Sequence, residues 1–478
     1  ESTGISSRPP KKFESALSTA SNILRIASTE SSGEQTFDYF NIFIAPFIQG
    51  LPEEQIRESL RTFIVNLNQP SSSRDFPIRV SLGLELVVPD FLTKKKAIGP
   101  SGKRINRYED YAEEILLIAS LLSELVSADD QKKPVSNPSL IVKLRSKVIE
   151  EKESLAALEQ FHQLAAERGL PYFANLQSES HRHTSYTATG SRFVADWTGD
   201  WELDTLQTGS IDNVSLNLAR ASYDAEGSQD SFFQLLDERI EMARRALEIK
   251  YRTLRQRVRE GLLPFLSQEI GGNRYFRLEN ATRLISIVGL SETVESFIDK
   301  PMHLDEANGF LDTLLGQLSK GVLNHAKKPE TRLVPSTVSS LIAKERLAEL
   351  DIEHCGWEKV RVQGSKEQPY YADMVALPLV DKGVWRKRMR IEEKLNRFAS
   401  GSHLTRLQLP DAGQDPDELL SVTREIMGGY EVGLFTYTRN LTYCANCQKT
   451  FYGDLPKCSR CGSTDILIST KSSHRSIS

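Results

Sequence analysis

Four cysteines near the C-terminus have the spacing of a metal site. They form two Cys-x-x-Cys pairs, Cys444 with Cys447 and Cys458 with Cys461, which ten residues separate. Four thiolates at this spacing can complete a tetrahedral Zn²⁺ shell, and few cysteines in a chain of this length argue against a disulfide framework. A shell filled by sulfur leaves no position for a reacting water. The motif therefore predicts a structural zinc ribbon over residues 441–468.

The ribbon also carries basic side chains, Lys449, Lys457 and Arg460. Such residues can contact phosphate groups, although most surface cations only face solvent. A nucleic-acid- or ribosome-associated zinc-ribbon protein is therefore one alternative for the function.

A second chemical signal is the basic, glycine-containing loop at residues 94–104, which reads Lys-Lys-Lys-Ala-Ile-Gly-Pro-Ser-Gly-Lys-Arg. Backbone amides and ammonium groups in such loops can hold phosphate. Lys103 and Arg104 are the candidate nucleotide-binding residues here, and the competing interpretation is a solvated connector.

Three further residues carry weaker signals. Cys355 lies outside the ribbon, and a half-buried, unreactive thiol is the expectation for it. His181 and His183 lack nearby carboxylates at ligand spacing, so the sequence predicts no second metal there.

Composition limits the remaining possibilities. The 478 residues include 60 Lys and Arg against 64 Asp and Glu, so no chain-wide positive field exists to hold nucleic acid. No apolar run is long enough to span a membrane, and the N-terminus resembles no secretory signal. We expect a cytoplasmic protein without a membrane partner.

Strand-like and helical segments alternate along the chain, which predicts an α/β layer or barrel arrangement. Residues 79–88 and 284–290 have strand character. Residues 138–168 are predicted as one helix, capped by Asn137 and ended by Gly169. A stripe at helical spacing predicts core packing, and its members are Leu236, Ile240, Ala243, Leu247, Tyr251, Leu254 and Val258.

Several segments, in a collinear order, resemble the anaerobic (class III, glycyl-radical) ribonucleoside-triphosphate reductases. Residues 35–47 (QTFDYFNIFIAPF) look like an early barrel helix of that family, and residues 171–175 (PYFAN) match its PYFxN stretch. Residues 209–220 (GSIDNVSLNLAR) are similar to GSIGVVTINLPR, and residues 433–443 lead into the ribbon as in the family.

The resemblance implies a ten-stranded α/β barrel over residues 13–440, followed by the ribbon. Residues 1–12 and 469–478 would be polar tails. It further implies a homodimer or higher homo-oligomer, deoxynucleotide specificity sites, and a finger loop inside the barrel. The finger loop here comprises Gly190, Ser191 and Arg192, with Asn213 and Asn217 on the strand that follows.

The family's chemistry requires a cysteine in the finger loop, whose thiyl radical abstracts the ribose 3′ hydrogen. Ser191 occupies that place, so we expect no catalytic residue there. A glycyl-radical loop is expected shortly after Cys461, but residues 463–468 (STDILI) do not match it. The N-terminal ATP cone that is common in the family is also not seen.

Three hypotheses follow from this resemblance. The first is a catalytically inactive homologue that is retained as a nucleotide-binding or assembly scaffold, with structural zinc and bound nucleoside triphosphates. The second is an active reductase that makes deoxynucleotides with missing parts supplied in trans. The third is the nucleic-acid-associated protein, which strong salt dependence of binding would favour.

Overall fold

The computed structural model describes residues 8–70, 77–127, 137–177, 182–270, 273–302, 304–326, 331–372, 377–378, 382–410 and 414–470. Helices and strands alternate through these ranges, as the sequence predicted. The helices are α1 Phe13–Glu30, α2 Phe40–Ile44, α3 Glu53–Leu67, α4 Asp90–Thr93, α5 Ala112–Ser127, α6 Ser146–Glu150, α7 Lys152–Arg168, α8 Trp201–Thr205, α9 Leu218–Asp224, α10 Gln229–Arg259, α11 Leu290–Ile298, α12 Asp305–Ala326, α13 Leu341–Cys355, α14 Lys382–Phe398 and α15 Pro416–Gly429.

The strands are short, and they form both parallel and antiparallel pairs. They are β1 Gln35–Phe37, β2 Val80–Glu85, β3 Lys96–Ile98, β4 Arg104–Arg107, β5 Ser139–Leu144, β6 Tyr172–Asn175, β7 Ser185–Tyr186, β8 Arg192–Phe193, β9 Ser210–Asn217, β10 Glu269–Ile270, β11 Asn273–Arg274, β12 Thr282–Val288, β13 Leu333–Ser336, β14 Gln363–Ser365, β15 Gln368–Tyr370, β16 Leu377–Pro378, β17 Thr405–Gln408, β18 Leu434–Thr438, β19 Asn440–Cys444, β20 Lys449–Tyr452 and β21 Ile466–Thr470.

The chain divides into two compact units. The first contains the described parts of Glu1–Ala188 together with Leu409–Gly428 and Thr436–Thr470. The second contains those of Thr189–Gln408 together with Gly429–Phe435. Among the described residues, no helix is both long and apolar enough to cross a membrane.

The first unit is built on parallel strands in the order β1, β2, β5 and β6. Every residue of β2 is buried, as expected for a parallel sheet that is covered on both faces. The carboxyl ends of these strands meet at one edge, because parallel strands share a direction. That edge carries the charged residues Asp38, Glu85, Lys143 and Arg145.

These four residues form a buried ion network. The ammonium of Lys143 lies 2.7 Å from an Asp38 oxygen and 3.7 Å from a Glu85 oxygen, and it contacts the Tyr39 ring at 3.4 Å. Arg145 makes two hydrogen bonds to Glu85, at 2.8 and 2.7 Å. Burial lowers the pKa of Lys143, while the two carboxylates oppose that shift. Each buried charge is therefore compensated by a partner in direct contact.

The predicted helix over residues 138–168 is wrong over residues 138–145. Residues 139–144 (SLIVKL) are β5, a nearly fully buried strand, and helix begins only at Ser146. Asn137 caps no helix, because its side chain accepts from the Val80 N–H and donates to the Ile78 carbonyl. A short apolar run is compatible with either a buried strand or a buried helix, and periodicity alone does not distinguish them. The predicted end is confirmed, since α7 stops at Gly169 with φ +64°.

A buried histidine in the first unit predicts how stability changes with pH. His162 on α7 stacks on Phe173 at 5.0 Å, and its Nε2 lies 2.7 Å from the Thr423 hydroxyl. Burial lowers its pKa to about 4. The ordinary pKa of histidine is about 6.5, so between pH 6.5 and pH 4 the unfolded chain binds a proton at this residue and the folded chain does not. The free energy of unfolding therefore falls as the pH is lowered from 6.5 to 4.

We expect His162 to lower the free energy of unfolding by about 3 kcal/mol between pH 6.5 and pH 4. Urea titrations at pH 7 and pH 4 would compare the wild type with His162→Phe, which cannot titrate. The pH-dependent loss should shrink by roughly that amount in the variant, whereas His354→Ala, at an exposed position, should leave it unchanged. An identical loss in His162→Phe would show that other groups control the acid response.

The second unit contains a parallel sheet in the order β13, β12 and β9, and its strands β16 and β17 also pair in parallel. Helices α10 and α12 pack on the three-stranded sheet through apolar side chains. The predicted stripe on α10 is confirmed for Leu236 through Leu247, which are buried. Tyr251, Leu254 and Val258 are only half-buried, so the last turns of α10 are not core.

Candidate functional site

The ribbon cysteines lie together, as the sequence predicted. Strands β20, β19 and β21 form an antiparallel sheet, and Cys444 ends β19. The four Sγ atoms lie within 4.8 Å of one another, with 3.6 Å between Cys444 and Cys461 and between Cys447 and Cys458. Tetrahedral zinc with Zn–S bonds of about 2.3 Å places its sulfurs roughly 3.8 Å apart. The cluster can therefore hold a metal ion of that geometry.

Backbone amides in the second knuckle favour a thiolate. The N–H groups of Cys461 and Arg460 each lie 3.4 Å from the Cys458 sulfur. These contacts lower the pKa of Cys458 to about 6, and the N–H of Cys461 has the larger effect. Metals bind the thiolate form of cysteine, so these backbone contacts favour the form of Cys458 that binds metal.

The residues predicted to form the finger loop lie at the carboxyl end of the parallel strands of the second unit. Ser191 pairs with Ser402 in an antiparallel bridge, and Ser402 pairs with Ser336, the last residue of β13. The N–H of Arg192 donates to the Gly401 carbonyl at 2.9 Å, and the N–H of His403 donates to the Gly190 carbonyl at 3.1 Å. The structure thus brings Gly190, Ser191 and Arg192 to a sheet end.

Gly190 is fixed by its surroundings as well as by its backbone. Its φ is +94°, and a Cβ there would lie 3.2 to 3.3 Å from atoms of Val338, His403 and Leu404. A side chain at this position would therefore be strained and crowded.

A buried polar cluster lies behind this loop, and sequence reasoning did not find it. His403 Nε2 lies 3.1 Å from Glu392, its Nδ1 lies 2.8 Å from the Thr337 hydroxyl, and Thr405 donates to Glu392 at 2.6 Å. The His403 and Glu392 side chains are almost fully buried. Glu392 lies on α14, His403 and Thr405 lie beyond the end of that helix, and Thr337 is 66 residues from His403, so helical or strand periodicity could not have shown these contacts.

The two predicted asparagines of β9 are structural hydrogen-bonding groups. Asn213 donates to the Val338 carbonyl at 2.9 Å and accepts from Ser286 at 2.7 Å. Because Val338 also borders Gly190, Asn213 belongs to the finger-loop surroundings. Asn217 caps α9 through the Arg220 N–H and donates to Asp351 at 2.7 Å.

Asp351 accepts hydrogen bonds from several side chains at the end of β9. Tyr371 donates to it at 2.6 Å and Arg220 at 3.0 Å. Burial raises the pKa of Tyr371, so its hydroxyl keeps the proton that it donates. This cluster joins α9 to α13 and holds the strand end that carries Asn217.

Cys355 lies at the opposite end of α13 from the predicted finger loop. It is the last residue of α13, whereas Ser340 caps the first turn of that helix, close in sequence to Val338 beside Gly190. Fifteen residues of helix span about 22 Å. Cys355 packs against a buried cluster that includes Tyr371 and Val360, and burial raises the pKa of its thiol, as expected for an unreactive cysteine.

The residues around Trp197, which follow the predicted finger loop, are fixed by hydrogen bonds to one carboxylate. Asp204 is buried and accepts the N–H groups of Trp197, Thr198 and Gly199 at 2.9 to 3.1 Å. It thereby organises the loop. His181, of the predicted unligated pair His181 and His183, lies outside the described residues.

The predicted phosphate loop is an antiparallel hairpin of β3 and β4, in the first unit. Lys103 and Arg104 are exposed at its turn. The Ser101 N–H donates to the Pro10 carbonyl and the Gly102 N–H to the Gly99 carbonyl. These turn amides are occupied, so side-chain cations would have to hold any anion here.

Comparison with solved structures identifies the fold. The anaerobic ribonucleotide reductase from Thermotoga maritima, in complex with dATP and CTP, aligns with a TM-score of 0.73 and 16% identity, covering 97% of this chain and 76% of that one. The same enzyme with glycerol in the active site gives a TM-score of 0.75 and 18% identity, covering 97% and 75%. A third structure, described as an anaerobic ribonucleotide reductase, gives 0.75 and 17%, covering 98% and 73%.

The fold is therefore that of the anaerobic ribonucleotide reductases, an α/β class. The family model described as anaerobic ribonucleoside-triphosphate reductase matches residues 1–472. The chain belongs to this family, which confirms the resemblance seen in the sequence. No curated protein matches the sequence significantly.

Proposed function

We propose that this chain is a catalytically inactive member of its family, retained as a nucleotide-binding scaffold. The observation that carries the proposal is Ser191 in the finger loop, where the family's chemistry needs a cysteine. Hydrogen abstraction from ribose requires a thiyl radical. The serine O–H bond is much stronger than S–H, so an oxygen radical would form reluctantly and oxidise indiscriminately.

The other cysteines support the same conclusion. Four of them lie within one metal-sized cluster, and Cys355 lies about 22 Å along α13 from the helix start beside the finger loop. An active reductase with parts supplied in trans would still need a thiol at position 191.

Nucleotide binding is supported by the arrangement of helices at the same sheet end. Helices α9, α11 and α13 each follow one of the parallel strands β9, β12 and β13. Their N-termini therefore point to the edge where α/β proteins bind ligands, and helix N-termini favour phosphate. The Thermotoga maritima enzyme of the same fold binds dATP and CTP.

Further properties belong to the same proposal. The fold would include a ten-stranded α/β barrel, the cysteine cluster would hold structural zinc, and the protein would act as a cytoplasmic homodimer. Lys103 and Arg104 would contact phosphate at a separate surface. Zinc would supply no chemistry beyond cross-linking the ribbon, because its four ligands are sulfur.

Equilibrium dialysis with CTP and dATP tests nucleotide binding. Ser340→Asp keeps a good helix cap but places a negative charge at the start of α13, so we expect CTP affinity to fall at least tenfold. Ser228→Asp makes the same change at the cap of α10 and should bind like the wild type. No saturable binding by the wild type, or equal binding by both variants, would refute this site.

A further inference from the structure

The N-terminal segment and the β3–β4 hairpin form one basic surface in the first unit. The Ser101 N–H donates to the Pro10 carbonyl at 2.7 Å, and Pro9 lies against Gly102. The segment is thereby fixed on the hairpin turn. Together with Lys94 and Lys95, which directly precede β3, the two pieces contribute nine exposed cations, and the other seven are Arg8, Lys11, Lys12, Lys96, Lys103, Arg104 and Arg107.

Lys103 and Arg104, at the hairpin turn, are the cations of this surface that carry the argument. Arg107 pairs with Glu109 at 3.2 Å. In the part of the chain that the structure describes, neither Lys103 nor Arg104 has a salt bridge. Lys96 and Arg107 are direct partners across the hairpin, and like charges at such positions destabilise a strand pair. The pairing of Lys96 with Arg107 therefore does not itself stabilise the hairpin.

We propose that this basic surface binds the phosphodiester backbone of single-stranded nucleic acid, a role beyond nucleotide binding at the finger loop. Nine cations on two segments exceed what the phosphates of one nucleoside triphosphate need. The turn amides Ser101 and Gly102 are occupied, so the surface lacks a backbone cradle for a single terminal phosphate. Side-chain cations in an extended set instead suit a row of phosphates without reading the bases.

Fluorescence anisotropy with a labelled 30-mer of deoxythymidine tests the proposal, over 50 to 200 mM salt. Binding should weaken steeply as salt rises, because each neutralised phosphate of a single strand adds about −0.7 to the slope of log affinity against log salt. Lys103→Glu with Arg104→Glu should lower affinity at least tenfold and reduce the slope by about 1.4.

The matched control is Lys320→Glu with Arg255→Glu, two exposed cations on α12 and α10 that produce the same net charge. It should bind like the wild type. Equal losses in both double variants, salt-independent binding, or displacement of the oligonucleotide by 1 mM CTP would overturn the proposal. CTP dialysis on the same proteins separates this outcome from failure of the finger-loop site.

Discussion

Cys458→Ser is expected to abolish high-affinity metal binding and to unfold the ribbon. Structural zinc contributes about 10 to 16 kcal/mol in zinc-finger peptides at pH 7, and a small three-stranded sheet has little core to replace it. Metal analysis of purified protein should show one zinc per chain in the wild type and none in the variant. Limited proteolysis should then cleave within residues 440–470.

Cys355→Ser is the control, because that cysteine lies outside the cluster. It should retain one zinc and the protease resistance of the wild type. Full zinc content in Cys458→Ser, or a metal-free wild type with an intact ribbon, would show that the cysteine cluster does not depend on zinc.

Lys143→Ala is expected to destabilise the protein by about 3 to 5 kcal/mol, because it leaves the buried Asp38 carboxylate without its cation. Asp38 and Glu85 have side chains that are 3% and 0% exposed, so water cannot solvate either charge. Urea unfolding measures the change in free energy.

Lys147→Ala gives the matched comparison. Lys147 also pairs with an aspartate, Asp90, at 2.6 Å, but both side chains are at least half exposed. Exposed pairs contribute about 0 to 1 kcal/mol. Equal effects of the two alanine substitutions would mean that the buried network is not a main source of stability.

Much of the architecture could be predicted from local pattern. The spacing of Cys444, Cys447, Cys458 and Cys461 predicted a compact cluster because few folds bring four thiols together at that spacing. The α10 stripe predicted a buried helix face as far as Leu247. Both features depend on neighbours in sequence.

The failures involve contacts between distant segments. The apolar run after Asn137 was assigned to a helix, but pairing with β2 makes it a strand. In the His403–Glu392 cluster, the distant contact is the one between His403 and Thr337, which are 66 residues apart, and nothing near either residue indicates the other. The hairpin cations were predicted, but the docking of Pro9 and Pro10 on its turn was not.

The central claim is that Ser191 removes reductase chemistry while nucleotide binding remains. The direct measurement is deoxynucleotide formation from CTP by the full natural chain under anaerobic conditions, with the family's activating enzyme and a reductant. The Thermotoga maritima enzyme serves as the positive control. We predict saturable CTP binding without dCTP above background, and dCTP formed in repeated turnovers by the wild-type chain would contradict the account.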